Sequence, residues 1–144
     1  MSKKSSGSAT RHSLTIRSKV KLSRILEITN NSLKIEINEE GIITGRYTGT
    51  QLATIDNTAN QDGTSSWCGK FMQMTNKGDM IVTTGSGTGE PANPKGIVKI
   101  RGEGDMWTQS PRLANLNGAK WTCDGESNIR KGSSVIYVDI NEKD

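Results

Sequence analysis

Apolar and polar residues alternate along most of this chain. Leu33-Lys34-Ile35-Glu36-Ile37 is the clearest case, the signature of a half-buried strand. Glu39-Glu40-Gly41 then reads as a turn. Beyond it, Ile43, Gly45, Tyr47, Gly49, Gln51, Ala53 and Ile55 share one face of an extended run, with Thr44, Arg46, Thr48 and Thr50 on the other. Residues 56–63 are rich in Asp, Asn and Thr, which close turns with their own side chains, and predict a long loop. Further strands are predicted over 67–74, 80–89, 95–107, 119–126 and 133–140. A turn at 76–79 and a loop holding Pro91 and Pro94 separate the first three of these. Near the N-terminus, 14–16 and 25–29 read as strands. The stretch 19–28 also fits a short helix through Leu22, Ile25, Leu26 and Thr29, with strand preferred.

About eight strands, regular turn signals and no long helix point to a sandwich or a barrel. Glycine favours the barrel. Gly85, Gly87 and Gly89 occupy alternate positions, as do Gly102 and Gly104. Bare positions repeated on one face let a strand coil sharply toward that face, as closure requires. The expected fold is therefore all-β: a single antiparallel eight-stranded barrel, closed or nearly so, over 13–141. A flexible basic arm is expected over 1–12.

Phasing each strand by the side chains that cannot be buried yields an interior. Lys34 and Glu36 must face water, so Leu33, Ile35 and Ile37 face in. The same reasoning turns in Ile43, Tyr47 and Gln51, then Trp67, Phe71 and Gln73. It continues with Val98, Ile100 and Met106, then Trp121 and Cys123, then Ile136 and Val138. The set is apolar and aromatic with a few polar tips, the usual make-up of a small-molecule pocket. Tyr47, Gln51, Trp67, Phe71, Gln73, Trp121 and Cys123 are the candidate ligand-binding residues. A core filled by the same side chains is the competing reading. Cys68 is phased outward, away from Cys123, which argues against a disulfide; Cys123 is read as a buried, inert thiol.

Composition narrows the classes. Hydrophobic residues make up 31% and the formal net charge is +4, too mild for a charge-driven disordered chain. No run approaches the ~20 apolar residues of a membrane-spanning helix. The first ten residues have a basic start but no apolar core, so the chain is read as unexported, cytoplasmic and not membrane-bound. A single histidine, His12, removes most histidine-based nucleophilic mechanisms, and with two cysteines leaves no metal site to predict. Gly85 to Gly89 lacks phosphate-loop spacing and a following helix, so no nucleotide cofactor is expected. Lys99, Arg101, Glu103 and Asp105 alternate as a solvated outer face. Lys3, Lys4, Arg11, Arg17, Lys19, Lys21 and Arg24 precede residue 25 with no acid among them. They allow weak polyanion binding, although scarce Phe and Tyr disfavour nucleic acid as a partner.

Gly85-Ser-Gly-Thr-Gly-Glu90, Gly102-Glu-Gly-Asp-Met-Trp107 and Leu113-Ala-Asn-Leu116-Asn-Gly118, followed by Ala119 to Gly125, together resemble the allene-oxide-cyclase-like barrels, relatives of dirigent proteins. The resemblance spans about 40–127. It implies an eight-stranded barrel with a cavity at one end, often in oligomers, and raises the expectation of a homo-oligomer. No cyclase site motif matches, so no catalytic residue carries over. The primary expectation is a non-enzymatic barrel that binds a small apolar molecule. The alternatives are an isomerase or cyclase that shapes an unsaturated substrate, with Tyr47 or a nearby carboxylate moving a proton, and a structural module.

Overall fold

The computed structural model describes residues 12–142. Eight strands run in chain order: β1 Leu14–Ile28, β2 Ser32–Gly45, β3 Gly49–Asn60, β4 Ser65–Thr75, β5 Met80–Gly89, β6 Ile97–Thr108, β7 Ala119–Asn128 and β8 Ser133–Asn141. Each pairs antiparallel with its chain neighbours, and β8 returns to β1, closing the barrel. The expected fold class is observed. That closing ladder is short, joining 14–19 to 133–138. The basic arm expected over 1–12 lies, apart from His12, outside the described residues. His12 itself sits on β8, 3.2 Å from the Asp139 carboxylate and stacked on Tyr137.

Three boundaries differ from the sequence reading. Glu39-Glu40-Gly41 is no turn but the middle of β2. Its alternation continues, with Gly41 packed against Ser18 and Ile16 of β1 and Glu39 turned toward the interior. The reversal comes at 46–48 instead, after Gly45, whose φ of 124° belongs to the left-handed region that favours glycine. The expected single run from Ile43 to Ile55 is thus the end of one strand and the start of the next. The expected loop at 56–63 is mostly strand, because Asp56 and Thr58 are outward residues of β3 and need not be apolar.

At the N-terminus the two expected short strands are one. Its register slips between Val20 and Leu22 and between Ile25 and Glu27. Each bulge inserts one residue, Lys21 and Leu26, and shifts the alternation by one position. That is why Leu22, Ile25 and Leu26 imitate helical spacing.

One end of the barrel is plugged. A 3-10 segment, Pro111–Leu116, enters after Ser110, and its Leu113 and Leu116 are buried with Tyr47, Met106 and Ala119. Leu116 is wholly buried, worth about 1.5–3 kcal/mol relative to exposure. Asp79 anchors the plug from the β4–β5 turn: the Ser110 hydroxyl and the Arg112 guanidinium both donate to its carboxylate. Among the described residues, the turns that ring the opposite end, 29–31, 61–64, 90–96 and 129–132, contain no helical segment.

Candidate ligand cavity

The interior between the plug and the open end is not filled. A cavity of about 200 Å³ remains. Trp67, Phe71, Ile100, Trp121 and Ile136 supply much of its apolar wall, and Gln51, Gln73, Ser18 and Ser134 supply polar atoms.

Glycine makes room for the two tryptophans. Gly69, Gly85 and Gly104 are opposite one another on β4, β5 and β6, and Gly87 faces Gly102 in the next row. The Trp67 ring lies over Gly87 and Gly102: a Cβ at Gly102 would stand 2.3 Å from Trp67 Cζ2. Trp121 lies over Gly85 and Gly104, where a Cβ at Gly85 would meet its Cζ2 at 2.5 Å. The alternate glycines thus accommodate bulky inward rings as well as strand coiling. Phe71 meets Trp121 edge to face, with ring centroids 6.2 Å apart.

Of the seven candidates, six border the cavity: Gln51, Trp67, Phe71, Gln73, Trp121 and Cys123. Tyr47 does not. It lies in the 46–48 turn, buried at the plugged end, where its hydroxyl donates to Gln73 Oε1. Gln73 Nε2 in turn donates to Gln51 Oε1 at 2.8 Å. Burial raises the Tyr47 phenol above its ordinary value, so it keeps its proton and remains a donor. Burial also pushes the Cys123 thiol up to about 12, which makes it a poor nucleophile at neutral pH.

Two polar groups stand apart. The indole N–H of Trp67 is buried without a hydrogen-bond partner among the described residues, whereas that of Trp121 donates to the Asp105 carbonyl. Glu39 lines the cavity, and desolvation raises its carboxyl above the ordinary glutamate range, with no cation or hydrogen bond among the described residues opposing the shift. The sequence reading missed Glu39 by assigning it to a turn. The signal was there: extending Leu33, Ile35 and Ile37 by two residues puts it inside.

Outside the barrel, Lys99, Arg101, Glu103 and Asp105 are exposed on β6, and Lys120 pairs with Asp105. Of the early basic residues within the described part, Arg17, Lys19 and Lys21 are exposed on β1 and Arg24 pairs with Glu36. Among the described residues no three His, Cys, Asp or Glu side chains gather as metal ligands, and no helix is long and apolar enough to cross a membrane.

No family model matches the chain, and no curated protein matches it. Solved structures do. A protein of unknown function from Clostridium acetobutylicum superposes with a TM-score of 0.76 at 14% identity, over 91% of this chain and 97% of that one. A conserved protein of unknown function from Rhodopseudomonas palustris gives 0.73 at 15% identity, over 89% and 93%. An enzyme from Penicillium herquei gives 0.61 at 21% identity, over 88% and 90%. At these identities the likeness is one of fold.

Proposed function

We propose that this barrel binds a small apolar molecule in the cavity at its unplugged end. The observation that carries the reading is the unfilled, largely apolar space itself, kept open in a fold whose interior side chains could have filled it. Trp67, Phe71 and Trp121 form the walls. Gln51 and Gln73 supply polar contacts, Cys123 packs as an apolar group, and Tyr47 acts from behind by holding Gln73. The size is modest: a cavity of about 150 Å³ suffices for benzene, so a ligand of one ring with short substituents fits. The sequence resemblance to allene-oxide-cyclase-like barrels supports the same reading, since it implies a cavity at one barrel end.

Titrating the protein with neutral single-ring compounds while recording tryptophan fluorescence tests this. Saturable changes that disappear in a Trp67→Phe, Trp121→Phe variant still folded by circular dichroism support it. No saturable response from any compound up to its solubility removes it.

Glu39 favours a second reading, an isomerase or cyclase in which the cavity shapes the substrate and Glu39 moves a proton. The Penicillium herquei barrel being an enzyme lends this some weight. Glu39→Gln would then abolish turnover of a bound compound while leaving its affinity within about threefold. Turnover that survives the substitution excludes Glu39 from that role.

A further inference from the structure

The polar groups of the cavity have a common polarity. Tyr47 donates its phenol proton to the Gln73 carbonyl oxygen. That leaves Gln73 only its amide nitrogen to offer Gln51, and Gln51 must receive it with its own carbonyl oxygen. The chain of bonds therefore runs one way, from the plug toward the cavity, and ends on the Gln51 NH₂. This group has no partner among the described residues, and Gln51 is part of the cavity wall. An amide N–H that faces an apolar cavity without a protein acceptor is under-satisfied, a deficit that a bound acceptor removes.

Resting on the ligand-binding reading above, we infer that the cavity selects neutral apolar compounds carrying a carbonyl oxygen, received by the Gln51 amide. The wall also contains Glu39, whose neutral form is a further donor and which meets no cation among the described residues. An apolar amine has no acceptor to offer these donors in its protonated form. A hydrocarbon of the same shape leaves them as they are.

The test uses three single-ring probes of nearly equal size on the full chain: acetophenone, ethylbenzene and 1-phenylethylamine. Binding is measured by calorimetry and by the ¹⁵N-resolved resonances of the Gln51 side-chain amide. The comparison is stringent, because water holds the ketone more strongly than the hydrocarbon and so works against the expected order. Acetophenone should bind at least about tenfold more tightly than either other probe, shift the Gln51 amide resonances, and lose its advantage over ethylbenzene in Gln51→Leu. That variant keeps the side-chain size, and its folding is checked by thermal melting. Ethylbenzene binding as tightly as acetophenone, or a ketone preference unchanged in Gln51→Leu, overturns the inference while leaving the apolar pocket intact. Failure of all three probes to bind overturns the pocket reading beneath it.

Discussion

Gly102→Ala puts the packing of the cavity wall to the sharpest test. The added methyl carbon would lie 2.3 Å and 2.6 Å from Trp67 Cζ2 and Cη2, and 2.9 Å from the Ser86 carbonyl oxygen. Carbon atoms in contact prefer about 3.5–4.0 Å, so the indole must shift by roughly an ångström or the β5–β6 ladder must spread. Overpacking of this kind costs about 1–3 kcal/mol. Replacing a strand glycine returns about 0.5–1 kcal/mol by reducing the freedom of the unfolded chain. The expected net loss is about 1–2 kcal/mol, or some 3–6 °C in Tm. Urea unfolding followed by circular dichroism measures it, with an unchanged m-value confirming that the native state is otherwise intact.

The cause is isolated by repeating the substitution in Trp67→Phe, whose smaller ring lacks the two clashing atoms. There Gly102→Ala should cost clearly less, since only the 2.9 Å approach to the Ser86 carbonyl remains, a coupling of at least about 1 kcal/mol between the two sites. Equal costs in both backgrounds, or a stable Gly102→Ala single variant, would refute the idea that this glycine is bare in order to seat the indole.

Tyr47→Phe removes the donor to Gln73 Oε1 and should cost about 1–3 kcal/mol in urea unfolding, since the buried oxygen is left unpaired. Glu39 binds its proton more tightly folded than unfolded, so its contribution is fully present below about pH 4.5 and is lost as pH rises through its elevated folded value. Glu39→Gln should therefore stabilise the protein at pH 7 more than at pH 4; equal shifts at both, read from denaturation midpoints, would contradict this. Iodoacetamide at pH 8 should label exposed Cys68 and spare Cys123, as peptide mass spectrometry would show.

Much of this architecture is legible in the sequence wherever a strand has one wet face and one dry face. The β4, β6 and β7 phasing follows directly from Lys70, Lys99, Arg101 and Lys120, which cannot turn inward. Legibility fails where that contrast fails. Glu39 breaks the apolar series because a cavity, unlike a packed core, tolerates a carboxyl group on its wall. Asp56 and Thr58 look like loop residues because an outward strand position next to solvent carries the same chemistry as a turn. The bulges at Lys21 and Leu26 are invisible to any fixed period, since each resets it. The orphaned Trp67 N–H and the one-way bonding of Tyr47, Gln73 and Gln51 depend on three-dimensional meeting of separate strands, which alternation alone does not encode.

The brief ladder between β8 and β1 has a consequence for how the molecule comes apart. Among the described residues every other ladder joins strands adjacent in the chain, so only this seam must bring together segments more than a hundred residues distant. It is the latch of the cylinder. The amides it protects should be the first of the ladder amides to exchange with deuterated solvent, and a cross-link over the seam should slow unfolding more than the same cross-link placed in any hairpin.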